Sequence, residues 1–151
     1  MTVVIGIRCW SDHYAYVIMS GDASKPKLVA SKNVPLPINE ERGSQLSTFR
    51  RDIMGLLAQH DVKKAVFRSV EGNAKSMDAG RTEVEGVFQE ACFSHVPTVP
   101  VRGLVKTQVK KLLHYDGRAK DVFTFFEQTS FTDLAKTHFA EAVVITLAEM
   151  G

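Results

Sequence analysis

The stretch that decides the fold is VVIGIRCW, residues 3–10. Its first five positions are dominated by β-branched apolar residues, which predicts a buried β-strand. Gly6 lies within this strand, where the missing side chain allows a neighbouring element to approach closely. Arg8 then places a permanent cation where the strand leaves the core. The partner of that cation decides which functions remain open.

The bulk composition is that of an ordinary globular protein. The 151 residues are 44% hydrophobic and 24% charged, and the formal net charge is +2. A chain of this length buries about 70% of its unfolded surface, so we expect a single domain over 1–151. The net charge is too small to predict nucleic-acid binding without a local cluster of basic residues.

The two cysteines, Cys9 and Cys92, fit no zinc-binding spacing and give little indication of secretion. The first residues lack the basic and apolar regions of a signal peptide. The sequence contains no run of about 18 apolar residues, so it predicts no membrane span. We therefore expect a reduced, cytoplasmic protein without membrane association.

Periodicity along the chain predicts a mixed α/β fold. Strand-forming residues separated by a turn predict an antiparallel meander of three strands, at 3–9, 13–20 and 27–36. Apolar residues spaced three and four apart predict helices at 39–60 and 76–94. Strand-forming stretches at 63–70 and 98–104 follow these helices and predict two further strands. Prolines beside the last strand favour an edge position. The remaining helices are predicted at 104–114, 120–128 and 131–150. We expect a five-stranded sheet with helices on both faces.

This order resembles the RNase H-like superfold, and in particular its RuvC-type Holliday-junction resolvase branch. Four stretches carry the resemblance: VVIGIR (3–8), KKAVFRSVEGNAKSMDAGR (63–81), VPTVPVRGLVKTQVKKLL (96–113) and HFAEAVVITLAE (138–149). The resemblance implies a strand, loop and helix in the middle stretch, a strand with a short basic helix in the third, and a helix of metal ligands in the last.

The active-site positions implied by the resemblance depart from the family pattern. That family needs acids at the ends of the first and middle strands and two more on the last helix, because Mg²⁺ ions prefer hard oxygen ligands. Here Arg8 stands at the first position and Arg68 at the second, with Glu71 as a displaced substitute. The last two positions match His138 and Glu141.

Electrostatics argues against metal-dependent hydrolysis at such a site. Two unit charges about 4 Å apart interact by about 4 kcal/mol at an effective dielectric of 20, so a cation beside Mg²⁺ is disfavoured by about 8 kcal/mol. Two arginines should exclude the metal unless both turn away. We therefore predict no cofactor. If both arginines turn away, Mg²⁺ is the sole candidate.

Two interpretations of Arg8 and Arg68 stay open. Paired guanidinium groups suit phosphate or carboxylate, so a former metal site could have become an anion-binding site. Alternatively, both arginines form internal ion pairs, with Glu71, Glu141 or Asp12 as counter-ions.

His138 and Glu141 share one helical face and could act as a general acid and base, with Glu71 as a third candidate catalytic residue. The alternative is that the His138–Glu141 pair forms a structural hydrogen bond or an ion pair with an arginine.

The most basic segment spans residues 101–120, with Asp116 as its single acid. Such a stripe could neutralise several phosphates of DNA or RNA, although a solvated helix face has the same pattern. The candidate nucleic-acid-binding residues are Arg102, Lys106, Lys110, Lys111, Arg118 and Lys120.

Two smaller features complete the pattern. Trp10, His13 and Tyr14 could stack on a base or cover the edge of the sheet. The helix around Gly80–Gly86 has small residues that permit close helix approach, and the resemblance implies a homodimer interface there, although packing within one chain fits equally well.

Three classes of function therefore remain. The first is a catalytically inactive nucleic-acid-binding or scaffold protein that uses the altered cleft and the basic segment. The second is an enzyme with a rebuilt site that acts on a phosphoester or small anion, and the third is a protein-interaction module. Fold alone does not decide among them.

Overall fold

The computed structural model describes residues 2–22, 24–71, 78–121 and 140–150. Five strands and four helices follow in the order β-β-β-α-β-α-β-α-α. The strands are β1 (Val3–Cys9), β2 (His13–Asp22), β3 (Lys25–Pro35), β4 (Lys64–Arg68) and β5 (Val101–Leu104). The helices are α1 (Arg42–Gln59), α2 (Ala79–Ser94), α3 (Lys106–Leu112) and α4 (Ala140–Met150), with a 3₁₀ turn at Ala119–Asp121 before α4.

The sheet has the predicted mixed topology, with strand order β3-β2-β1-β4-β5. β1, β2 and β3 form an antiparallel meander, whereas β4 pairs in parallel with β1 and with β5. The parallel pair places Ile7 beside Phe67, so the next residues, Arg8 and Arg68, lie side by side where the neighbouring strands β1 and β4 end. The carboxyl ends of β1 and β4 therefore meet at one edge of the fold.

Helices cover both faces of the sheet, as predicted. One face packs against α1 and α2, where Ile5, Ile7 and Phe67 share a buried cluster with Phe49 and Phe88. The opposite face packs against α3 and α4, whose buried residues include Val109 and Val144. Because side chains alternate along a strand, Val4, Gly6 and Arg8 share the α4 face. Val66 and Arg68 share that face on β4.

Gly6 permits the closest contact between β1 and α4. A Cβ atom at this position would lie 1.8 Å from Thr146 Oγ1 and 2.9 Å from the Ala142 carbonyl oxygen. The Thr146 hydroxyl is buried and donates to that same carbonyl at 2.6 Å. The close approach expected at Gly6 is therefore real, and it brings the start of α4 to the end of β1.

Several boundaries differ from the sequence prediction. β5 begins at Val101 rather than at residue 98, because Pro100 precedes it and cannot donate to the sheet. β4 ends at Arg68 rather than at residue 70, and α1 begins at Arg42 rather than at residue 39. Most of the helix predicted at 120–128, and the part of the last helix before residue 140, lie outside the described residues.

Candidate anion site and basic surface

Arg8 and Arg68 lie together at the edge where β1 and β4 end. Arg68 is buried, with 5% of its surface exposed, and Arg8 is partly buried. Both side chains point to the face that α4 covers. The adjacency predicted from the sequence is therefore confirmed.

Glu141, in the first described turn of α4, pairs with both arginines. Its Oε2 lies 2.6 Å from Arg8 Nε, and its Oε1 lies 3.6 Å from Arg68 Nε. One carboxylate thus bridges two guanidinium groups that come from different strands. The contact with Gly6 explains the arrangement, because it fixes the depth at which α4 packs on β1.

Glu71 also pairs with Arg68, and these two residues together with Arg8 and Glu141 form what we call the arginine cluster. Its Oε1 accepts a hydrogen bond from Arg68 Nη2 at 2.8 Å and another from the backbone N–H of Lys106 at 3.1 Å. Glu71 therefore connects the end of β4 to the start of α3. The ion-pair interpretation is confirmed for Glu71 and Glu141, whereas Asp12, the third suggested counter-ion, contacts His13 instead at 2.6 Å.

Arg81 is a member of the cluster that the sequence analysis missed. It lies on α2, pairs with the buried Glu85 at 2.7 Å and donates from Nη2 to the backbone carbonyl of Arg68 at 2.7 Å. The spacing of Arg81 and Glu85, four residues apart on a predicted helix, was the available signal. Within the described ranges, the cluster therefore holds three arginines and three glutamates.

The surroundings of Arg8 weaken its hold on a proton without removing its charge. Burial lowers the pKa of Arg8 from its ordinary value, the charges of Arg81 and Arg68 lower it further, and Glu141 opposes them. Arginine begins so far above neutral pH that it stays protonated. Arg8 also lies over the Trp10 ring, with its guanidinium carbon 4.4 Å from the ring centre.

These residues do not fit a two-metal site. Two of the positions that the resemblance assigns to acids carry arginines, and the acids at Glu71 and Glu141 direct their oxygens to those arginines. Among the residues that the structure describes, no three His, Cys, Asp or Glu side chains form a group able to hold a metal. His138, the remaining position of the pattern, lies outside the described residues.

The aromatic cluster after β1 divides into two parts. Trp10 and His13 stack with ring centres 4.2 Å apart beside Arg8. Tyr14 is buried and contacts Phe49 edge-on in the core. Tyr14 therefore belongs to the core, whereas Trp10 and His13 are partly buried beside Arg8.

The basic segment is partly neutralised within the chain. Arg102 pairs with Glu149 at 2.6 Å, and Arg118 pairs with Asp121 at 2.9 Å. Among the described residues, no carboxylate lies within 4.0 Å of the lysine amino groups at Lys106, Lys110, Lys111 and Lys120. Four of the six candidate residues, on α3 or in the 3₁₀ turn, thus have no carboxylate partner within the part of the chain that the structure describes.

The glycines of α2 have different surroundings. A Cβ atom at Gly80 would lie 2.6 Å from the Ser11 side chain, so the close approach at Gly80 occurs within the chain. At Gly86, no atom of the described residues lies within 4 Å of the same position, and this glycine lines an open groove of about 510 Å³ between α1 and α2. No helix in the described ranges is long and apolar enough to cross a membrane.

The sheet order, the covering helices and the edge formed by β1 and β4 define an RNase H-like fold of the RuvC type. The structure is similar to Thermus thermophilus RuvC, with a TM-score of 0.75, 18% sequence identity, and coverage of 97% of this chain and 92% of that one.

It is similarly close to T. thermophilus RuvC in complex with a Holliday-junction substrate, with a TM-score of 0.74 and 17% identity over 98% of this chain and 92% of that one. The yeast mitochondrial Holliday junction resolvase Ydc2 is similar at a TM-score of 0.60 and 12% identity, covering 97% of this chain and 77% of its own. No protein-family model and no curated protein matches the sequence.

Proposed function

We propose that this chain is a catalytically inactive nucleic-acid-binding protein with a RuvC-like fold, acting as a binding or scaffold component in the cytoplasm. One observation carries the proposal: Arg8 and Arg68 stand at the strand ends and occupy the oxygens of Glu141 and Glu71. A carboxylate that neutralises an arginine is a poor ligand for Mg²⁺, because the cation would have to displace the guanidinium group.

The basic surface on α3 supports the nucleic-acid part of the proposal. Lys106, Lys110 and Lys111 lie on α3, whose first backbone N–H is held by Glu71 next to the arginine cluster. Uncompensated lysines attract phosphates and release counter-ions when they bind. Structures similar to this one include a resolvase bound to Holliday-junction DNA, which makes a branched duplex a reasonable first ligand.

The salt dependence of binding tests this proposal. We expect fluorescence anisotropy to show binding to four-way-junction, duplex or single-stranded DNA or RNA that weakens steeply with salt, without cleavage in the presence of Mg²⁺. Replacing Lys110 and Lys111 with glutamine should reduce the slope of log K against log salt by about 1 for each lysine.

The matched control replaces Lys25 and Lys27 with glutamine, since both are exposed on β3 at the opposite edge of the sheet. That variant should keep the slope of the unaltered protein. An equal loss of slope in both variants would point to a general charge effect instead. Mg²⁺-dependent cleavage would overturn the inactive part of the proposal, and no binding at low salt would overturn nucleic-acid binding.

We also propose that the open face of α2 joins two copies of the chain. Phe93 is 73% exposed and lies seven residues, or two turns, after Gly86. The exposed Phe93 ring and the space left by the missing side chain at Gly86 therefore share one helix face. In an antiparallel pair of α2 helices, Phe93 of each copy would contact Gly86 of the other. Such an arrangement is self-complementary, as a two-fold interface requires.

Light scattering after size-exclusion chromatography tests the dimer. We expect a mass of twice 16.7 kDa for the unaltered protein and of one chain for Phe93→Asp, because a charge in the apolar contact prevents its burial. The control is Ile38→Asp, which also replaces an exposed apolar residue with aspartate but lies outside α2. A single-chain mass for the unaltered protein at tens of micromolar would contradict the proposal.

A further inference from the structure

Two guanidinium groups and one carboxylate form the core of the arginine cluster. The oxygens of Glu141 lie 2.6 Å from Arg8 Nε and 3.6 Å from Arg68 Nε. Flat guanidinium groups around two oxygens of one anion are the arrangement that also binds the oxygens of a phosphate group. The carboxylate of Glu141 therefore lies where a phosphate group would lie between Arg8 and Arg68.

We propose that Arg8 and Arg68 form a phosphate-binding site and that Glu141 is its internal competitor, displaced when a phosphate group enters. The ligand class is a phosphate oxyanion, either a phosphodiester of a nucleic-acid backbone or a free phosphate. The inference deepens the proposed nucleic-acid binding and rests on it only for the source of the phosphate.

Glu141 is the member of the cluster best suited to leave. Its side chain is 31% exposed, and both of the ion pairs that it forms with described residues are with the two arginines of the proposed site. Glu71 differs, because it also accepts the backbone N–H of Lys106 and so holds the start of α3. An entering phosphate would replace the charge of Glu141, so neither buried guanidinium group would be left without an anion.

The arginines keep other supports when Glu141 leaves. Arg68 retains its ion pair with Glu71 at 2.8 Å, and Arg8 remains over the Trp10 ring and donates to the Cys9 carbonyl. The guanidinium groups are thus pre-positioned, which lowers the entropy lost on binding. Without the charge of Glu141, the carboxylates that pair with Arg68 and Arg81 in the described part of the chain are Glu71 and Glu85, so the cluster becomes more positive and attracts an anion.

The test measures inorganic phosphate binding by calorimetry and by NMR of the arginine Nε–Hε groups. Glu141→Gln keeps the shape of the side chain and removes the competing charge, so phosphate should bind about tenfold more tightly than to the unaltered protein. Adding Arg8→Gln to that variant should abolish the gain. In the unaltered protein, phosphate should shift the Arg8 Nε–Hε resonance at millimolar concentrations.

The control is Asp61→Asn, which removes one carboxylate at the opposite end of β4, where Asp61 pairs with Lys63. Asparagine tolerates the positive φ of that residue, so the control changes charge without backbone strain. Equal phosphate affinity in the unaltered protein, Glu141→Gln and Asp61→Asn would overturn the inference, as would a gain that survives Arg8→Gln. If Glu141→Gln does not fold, the Arg8 resonance of the unaltered protein decides: a shift supports the site, and no shift overturns it.

A second arm identifies the source of the phosphate. Anisotropy with a single-stranded oligonucleotide and with its uncharged methylphosphonate analogue compares Glu141→Gln with the unaltered protein. If Glu141→Gln binds the phosphodiester more tightly than the unaltered protein does, with no gain for the methylphosphonate, the site is assigned to a nucleic-acid backbone. If Glu141→Gln gains affinity for inorganic phosphate and for neither oligonucleotide, the site is assigned to a free phosphate. The proposed function fails separately, through loss of all oligonucleotide binding, because the inorganic phosphate result does not depend on α3.

Discussion

Replacing Arg68 with alanine should lower the free energy of unfolding by about 3 kcal/mol. Arg68 is 5% exposed and lies between two carboxylates, 2.8 Å from Glu71 and 3.6 Å from Glu141. Without its guanidinium group, two negative charges face each other at a partly buried edge. The loss should lie at the lower end of the range for broken buried pairs, since both carboxylates reach solvent.

Urea unfolding of Arg68→Ala beside Arg50→Ala checks this expectation. Arg50 pairs with Glu90 across α1 and α2, but both side chains are more than two-fifths exposed, so its replacement should cost less than about 1 kcal/mol. Equal losses for the two variants would mean that the cluster contributes no more than an ordinary surface ion pair. A change in the denaturant slope would indicate an altered unfolded or native state instead.

The second large effect is the creation of a divalent-cation site. With Arg8→Asp and Arg68→Asp, the two new carboxylates would meet Glu71 and Glu141 at one edge, which makes four in all. We expect this variant to be strongly destabilised without divalent cations and to be stabilised by Mg²⁺ or Mn²⁺, by about 2.7 kcal/mol at a concentration one hundred times the dissociation constant. The unaltered protein should not respond, because its arginines hold the carboxylates.

Thermal unfolding over a Mg²⁺ series measures the effect. The control carries Arg8→Asn and Arg68→Asn, which removes the two cations without adding carboxylates and should gain less from Mg²⁺. If the aspartate variant is unfolded in chelator, recovery of secondary structure on adding Mg²⁺ is the corresponding result. A Mg²⁺ response of equal size in the unaltered protein would contradict our interpretation of the arginines.

Much of this edge could be predicted from the sequence because it depends on short-range alternation. Gly6 and Arg8 are two residues apart, so they share a strand face, and the resemblance paired the end of 3–9 with the end of 63–70. The contact of Arg8 with Glu141 was one of several open alternatives. Choosing among those required the depth at which α4 packs, and that depth is set by Thr146 against Gly6.

Other parts of the site depend on contacts that local patterns do not contain. Arg81 and Glu85 resemble an exposed helical pair in sequence, and only the packing of α2 on the sheet shows that Glu85 is buried. Glu149, which neutralises Arg102, lies 47 residues away in sequence. Asp121 lies just beyond the window in which the basic segment was counted. The sequence therefore overestimated the free positive charge of that segment.

The placement of α4 has a consequence for how the chain folds. The meander and α1 can form early in synthesis, but the sheet face with Val17 and Met19 packs against α4, which is made late. Until then, a newly made chain exposes both apolar surface and two arginines without the carboxylate of Glu141. Such late, long-range closure slows folding and prolongs the exposure of aggregation-prone surface. We therefore expect nascent chains that end before α4 to depend on chaperones for solubility.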